Sequence, residues 1–514
     1  MSPSALVKLI RSLSSSEKRY FKLQSKRQGG GKEYLLLFQL IDSDRNPDIR
    51  QLKQEFKKRS PGGSWENTCI YLGSSLVDCL VRAKKEKDVF FNLLHQLQEI
   101  RILKERSLDG EAFRQARKVG RIAAQHQLYW IEYICYRDEL QYYSDNNFAG
   151  VTDQGLVTLQ MKGKDILKSL SHIHDHYSLY ELLHYRLIHT GKVASEEGRK
   201  KLNDLMLSEM VLVASKSKSF ISQKLHLLFQ SFFFTVVGDY HSALKSFYHL
   251  NALLEKNQAF LDNPPLDYLS ALTGIIESLY MLEKAEAREK AAAMIGGGDA
   301  SYYLDKIRNL DQPAYPEYFR FLVRKTAFAR EIQLLLRAGR PEEARQLVDT
   351  IPAAVFDNYP LADEEKQCEL YFFCSLTSFQ LRDWRKAHLH LREIMNRLRL
   401  PAQLLISRAI RLLNIVIYYE KRELLHLEYE IRSYKRHFSQ SKVMKIEKLL
   451  FRIVEANPSN RRLLSLPAGQ RKVQADLAAI AADKYEQQLL RYFDLVGWVR
   501  GVLALGPRAA VAPS

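Results

Sequence analysis

Short breaks divide most of this chain into long helical segments, and their spacing is the feature that most constrains its fold. The clearest break is Gly238-Asp239, which separates an apolar segment from a second one that begins at Tyr240. Other breaks lie near residues 109, 146, 191, 283, 339, 382 and 422, so neighbouring breaks are 37 to 56 residues apart. Stacked helical hairpins repeat at such intervals because each buries its apolar face against its neighbours. The pattern predicts an all-α solenoid of about eight antiparallel hairpins.

Composition supports long helices and a cytoplasmic chain without membrane insertion. The 514 residues include only 15 Pro and 23 Gly, the residues that most often interrupt helices. Five cysteines without a Cys-x-x-Cys motif indicate reduced thiols inside a helical core. The most apolar segment, Phe220–Val237, contains Gln223, Lys224 and Gln230, so we interpret it as a buried helix rather than a membrane span.

The breaks and the charge distribution suggest five regions. Residues 1–60 are predicted to form a basic helical N-terminal region, and residues 61–87 a connecting helix after the break at Pro61-Gly62-Gly63. The repeat array is assigned to residues 88–440. Residues 441–505 are predicted to be C-terminal capping helices, and residues 506–514 a flexible tail.

Small and aromatic residues recur at corresponding positions around several breaks. Around Gly238 they are Ser231, Tyr240, Ala243 and Phe247; around Asp383 they are Tyr371, Ser375, Trp384, Ala387 and Leu391. Around Gly339 the match is poorer, because Pro341 and Ile332 replace the aromatic and the small residue. These units resemble divergent tetratricopeptide repeats (TPRs), in which small residues let two antiparallel helices pack closely.

The terminal segments extend this resemblance. With residues 16–23, 420–433 and 493–498 included, the chain resembles long bacterial TPR-like proteins that have no assigned activity. The resemblance implies a right-handed α-solenoid with helical N- and C-terminal caps, whose groove binds a protein or peptide partner. Groove positions in the two best units hold Leu228, Phe232, Phe372 and Leu376 rather than the Lys and Asn of the carboxylate-clamp TPRs. These apolar residues contact a peptide or, if the array is tightly wound, belong to its core.

No motif in the sequence predicts catalysis or a cofactor. His172, His174 and His176 resemble the zinc-binding loop of metallo-β-lactamases, but one residue is missing and the surroundings are helical. We therefore expect solvated helix-start histidines and no metal. Gly29-Gly30-Gly31-Lys32 lacks the hydroxyl residue and the preceding strand of a phosphate-binding loop, so a linker is expected there.

Positive charge is concentrated near both ends of the chain. Residues 1–60 contain 14 Lys and Arg against 6 Asp and Glu, and residues 382–462 contain 19 against 8. Lys18, Arg19 and Lys22 at one end, and Arg432, Lys435 and Arg436 at the other, are candidate contacts for nucleic acid or another anionic partner. In the simpler interpretation they are solvated helix faces. The sequence thus favours a non-enzymatic interaction scaffold, with a nucleic-acid-associated regulator as the alternative.

Overall fold

The fold is described from a computed structural model, over residues 1–27, 32–44, 48–190, 196–214, 219–261, 263–282, 299–350, 364–397, 405–439, 443–455 and 467–504. These residues form helices and no strands, which confirms the all-α prediction. The breaks expected at Gly191 and Glu283, the linker at Gly29-Gly30-Gly31 and the tail at 506–514 lie outside the described residues. The helices are α1 (Pro3–Ser12), α2 (Ser15–Arg27), α3 (Lys32–Ser43), α4 (Ile49–Arg59), α5 (Trp65–Lys85), α6 (Val89–Glu105), α7 (Asp109–Gln125), α8 (Tyr129–Asp145), α9 (Asp153–Thr190), α10 (Glu196–Lys200), α11 (Asn203–Ala214), α12 (Phe220–Val237), α13 (Tyr240–Lys256), α14 (Leu266–Met281), α15 (Ala300–Arg308), α16 (Glu317–Arg337), α17 (Pro341–Asp349), α18 (Glu364–Gln380), α19 (Trp384–Arg397), α20 (Leu405–Lys421), α21 (Leu424–His437), α22 (Lys445–Val454), α23 (Pro467–Ala481), α24 (Lys484–Leu490) and α25 (Leu495–Ala504).

The N-terminal helices α1–α5 share one apolar core. Phe38, Phe56 and Leu72 are buried in it, and the Trp65 ring lies 5.7 Å from the Phe56 ring, measured between centroids. The helix predicted as a connector over residues 61–87 therefore packs as part of the N-terminal bundle. Helix α1 also contacts α16 in the middle of the chain.

The same turn joins many of the paired helices. One residue adopts a left-handed conformation, and the N–H of the next donates to the carbonyl five residues before it, at N–O distances of 2.9 to 3.1 Å. This geometry satisfies carbonyls at the end of the first helix. Six described residues have this geometry, namely Ser107, Gln127, Gly238, Gly339, Arg382 and Arg422; Asn147, after α8, makes the same turn with a shorter N–O distance of 2.7 Å. After Gly238, Asp239 caps α13 by accepting a hydrogen bond of 3.1 Å from the Ser242 N–H.

Helix contacts follow chain order, as expected for a helical repeat. Consecutive helices contact each other within the series α6–α9 and within the series α12–α21. Some helices also contact the next but one along the chain: α14 contacts α16, α16 contacts α18, and α18 contacts α20. The hairpin pattern is interrupted at α9, a single helix of 38 residues.

Candidate functional site

The four predicted groove residues do not line an open groove. Phe372 is 0% exposed and its ring lies 6.1 Å from that of Tyr492, while Leu376 is also buried. Phe232 is half-buried, with its ring centroid 5.5 Å from that of Tyr180 on α9. Leu228, also half-buried, packs against a small core at the start of α12. Phe372 and Leu376 therefore lie in the core, whereas Leu228 and Phe232 pack against core clusters and remain partly exposed.

A C-terminal segment covers the face on which Phe372 lies. We call residues 485–499 the strap, which includes most of α24 and the first half of α25. Its polar contacts reach three alternate helices: the Gln333 amide on α16 donates to the Arg491 carbonyl (3.3 Å), the Arg491 guanidinium pairs with Glu277 on α14, and the Trp498 indole donates to Glu420 on α20 (2.9 Å). The Phe493 ring packs 5.3 Å from Phe379 on α18. The strap thus ties together helices that are far apart in sequence.

A charged cavity of about 380 Å³ lies beneath the strap, and we call it the inner cavity. Its ionic groups come from α14, α16, α18 and the strap. Lys325 and Arg330 both pair with Glu369, the latter at 2.9 Å, and Arg491 pairs with Glu277. Three cations therefore face two carboxylates in its lining.

A second cavity of about 400 Å³, the outer cavity, adjoins the inner one. The two share a wall formed by Tyr280, Gln333, Phe373, Arg491 and Tyr492. Burial raises the pKa of Tyr280, so its phenol stays neutral and is available as a hydrogen-bond donor or acceptor in the wall.

The sequence did not single out these cavity residues. The available signal was weak, because Lys325 and Arg330 lie within α16 among other charged residues, including Arg320, Arg324 and Glu331. A charged residue on a buried helix face needs a partner, so such a position predicts either an ion pair or a polar site.

The histidine candidates are separated by the face of α9 on which they lie. His174 is exposed, but His176 is only 2% exposed, so the prediction of solvated histidines was wrong for His176. His172 is half-buried, and one ring nitrogen lies 3.1 Å from the Leu212 carbonyl. The error arose because α11 and α12, which cover this face, were not anticipated as its neighbours.

Two further titratable groups lie beside His176. The Glu209 carboxylate is fully buried and hydrogen-bonded to the His226 ring, and its nearer oxygen is 3.9 Å from Nδ1 of His176. Burial, and next the charge of His172, lower the pKa of His176. Within the described residues, no group of three or more His, Cys, Asp or Glu side chains is placed to hold a metal ion.

Two of the three basic candidates at the N-terminal end share one acidic partner. Lys18 and Lys22 each lie 2.8 Å from Asp42, whereas Arg19 is exposed. Phe21, which lies between Arg19 and Lys22 in the sequence, is buried in the N-terminal core. A helix face with neighbouring acidic partners is a weaker candidate for phosphate contacts than its net charge suggests.

The C-terminal basic residues lie on α21, which also exposes apolar side chains. Leu425 is 84% exposed and Tyr429 is 64% exposed, followed by exposed Arg432 and Arg436. Their spacing of four, three and four residues places these side chains along one side of the helix. We call this set the α21 stripe. Lys435 lies next to it and pairs with Glu455 at 2.6 Å.

All five cysteines are buried. Burial raises the pKa of Cys69 to about 11 and that of Cys374 to about 12. Thiols of this kind are poor nucleophiles because little thiolate is present near pH 7.

A membrane-spanning role has weak support in the described chain. Among the described helices, only α12 has the length and apolar composition of a membrane span. However, 44% of its 18 residues are buried, and it packs against α9 and α13. Core helices commonly have this character. Comparisons of the chain with protein-family profiles, curated proteins and solved structures found no match.

Proposed function

We propose that this chain is a cytoplasmic, non-enzymatic interaction scaffold, organised as a right-handed TPR-like α-solenoid, that binds a protein partner through the α21 stripe. The observation that carries the proposal is the continuous exposed run from Leu425 and Tyr429 to Arg432 and Arg436. Tyrosine and arginine dominate the binding energy of many protein interfaces, and large apolar side chains fill the pockets between them.

The distribution of apolar and basic side chains along the α21 stripe favours one kind of partner surface. The N-terminal end of the stripe is apolar; its C-terminal end carries Arg432, which pairs with Glu428 at 3.2 Å, and Arg436, with Lys435 adjacent. Complementarity therefore favours an acidic protein segment with apolar side chains at one end. Nucleic acid fits less well, because Leu425 and its neighbour Leu424 offer nothing to a phosphate backbone.

The strap explains why the partner is placed on α21 rather than on the face that contains Phe372. Displacing the strap would expose its buried apolar side chains, which are Leu489, Phe493, Leu495, Val496 and Val499. At about 1.5–3 kcal/mol for each side chain, this costs roughly 10 kcal/mol. Micromolar binding supplies only about 8 kcal/mol. A partner of ordinary affinity would therefore leave the strap in place.

The proposal is tested by affinity capture with the full-length chain and with the double variant Tyr429→Ala/Arg432→Glu. We expect at least one captured protein to be lost from the double variant and to be released from the wild type by high salt, since the contact is partly ionic. Arg345→Glu is the matched control, because Arg345 is an exposed arginine on α17 that pairs with a neighbouring glutamate. Identical capture by the wild type and the double variant, or recovery of nucleic acid alone, would reject the proposal.

A further inference from the structure

We propose that the inner cavity is a binding site for a small anion, a molecule that carries a carboxylate or a phosphate group. The cavity is lined by the ammonium group of Lys325 and the guanidinium groups of Arg330 and Arg491, against the carboxylates of Glu277 and Glu369. Among the described residues these are all of its charged lining groups, so one positive charge has no counterpart in the part of the cavity wall that the structure describes.

The unbalanced charge is removed from solvent. The three cationic side chains are between 6% and 14% exposed. A buried charge without a counterion is strongly unfavourable, whereas an anion placed beside it restores balance. Arg330 also has a free donor, because its Nε atom is buried and makes no hydrogen bond, while its other two nitrogens bond Gln333 and Glu369.

The outer cavity offers a route to this site. It shares a wall with the inner cavity, and Arg337 and Arg500 are exposed at its lining, against the single carboxylate of Asp494. Clefts lined mainly by one sign of charge concentrate ions of the opposite sign. A volume of about 380 Å³ is within the range of sites that hold small organic molecules.

The test uses the purified full-length chain, with inorganic phosphate and benzoate as probes of the two anionic groups. Calorimetric titration and thermal unfolding are measured at constant ionic strength, with sodium chloride and the neutral isostere benzamide as controls. We expect saturable binding and a raised Tm with phosphate or benzoate, and neither effect with chloride or benzamide. Binding by phosphate alone or benzoate alone would identify the group. The absence of saturable binding by both anions would overturn the proposal.

Variants of the cavity wall distinguish an anion site from a structural ion-pair cluster. Arg330→Gln should weaken anion binding about tenfold, the effect of losing one charged hydrogen bond. Glu369→Gln should lower the Tm of the free protein and strengthen anion binding, because it increases the excess positive charge. A purely structural cluster predicts the first effect of Glu369→Gln but not the second.

If Arg330→Gln fails to fold, Lys325→Met serves as the alternative variant. Lys325→Met removes the excess positive charge and leaves Arg330 and Arg491 with one carboxylate each. Anion binding should again weaken about tenfold. Arg345→Gln on α17 is the control and should bind as the wild type. Unchanged binding in every folded variant of the cavity wall would overturn the proposal.

Discussion

The two halves of the molecule are held together differently. In the C-terminal half, most of the described buried apolar side chains form one connected cluster from Leu244 to Val499, and Leu250, Leu254 and Ala271 belong to a separate one. In the N-terminal half they form separate clusters, each drawn from a short stretch of chain, such as Leu6 to Cys79 and Leu93 to Cys135. We attribute the difference to the strap, which contacts several helices far away in sequence; among the described N-terminal helices, α1 also makes a distant contact, with α16.

The comparison shows how a helical repeat gains or lacks cooperativity. In an array where each helix contacts only its neighbours, stability is a sum of local terms and segments can open separately. A segment that crosses several helices couples their opening. We therefore expect the C-terminal half to unfold as one unit and the N-terminal half in smaller steps.

The largest expected effect comes from a substitution where the strap meets the array. Phe372→Ala removes a fully buried ring that contacts Tyr492, and should lower the free energy of unfolding by about 3–5 kcal/mol, measured by urea denaturation. Leu425→Ala, at an exposed position, should change it by less than about 0.5 kcal/mol. Equal stability of Phe372→Ala and the wild type would mean that the face is an open groove.

A pair of glycine substitutions compares the halves directly. A Cβ atom on Gly163 of α9 would lie 2.5 Å from the Tyr136 ring, and one on Gly274 of α14 would come still closer to the Phe247 ring. Overpacking of this kind costs about 1–3 kcal/mol. That cost exceeds the gain of up to about 1 kcal/mol that alanine brings to a helix interior.

The two variants should differ in where protection is lost. By hydrogen–deuterium exchange, Gly163→Ala should expose α8 and α9 alone, whereas Gly274→Ala should weaken protection throughout the C-terminal half. Gly501→Ala has no atom within 4 Å of its new Cβ and serves as the control. Loss of protection across the whole chain in Gly163→Ala would break the distinction between the halves.

The sequence predicted the local structure well because the relevant signals are local. Helical periodicity gave the all-α fold, and Gly238 and Gly339 marked two of the joints. The same left-handed joint occurs at Arg382 and Arg422, where only the polar interruption of an apolar segment revealed it.

Contacts between distant segments could not be predicted in this way. The amide of Gln488 on the strap donates to the Val236 carbonyl across 252 residues, and no periodic pattern records such a pairing. For the same reason the sequence left both a groove and a core position open for Phe372. The cavity residues Lys325 and Arg330 were not singled out, because α16 carries other charged residues and their partner Glu369 lies on another helix.

The smallest expected effect concerns His176 in the N-terminal half. Burial, and next the charge of His172, lower the pKa of His176 below its ordinary value of 6.5 in the folded protein. Below about pH 6.5 the unfolded chain therefore binds a proton that the folded chain does not, and stability decreases as the pH falls. The loss is limited to about 1.4 kcal/mol for each unit by which the two pKa values differ.

His176→Gln should reduce the decrease in unfolding free energy between pH 7 and pH 5, measured by urea denaturation, while exposed His174→Gln should leave it unchanged. Because the site joins α9, α11 and α12, His176→Gln should reduce the pH-dependent loss of stability in an N-terminal unfolding step. A change of stability confined to the C-terminal unfolding step would contradict the separation of the two halves.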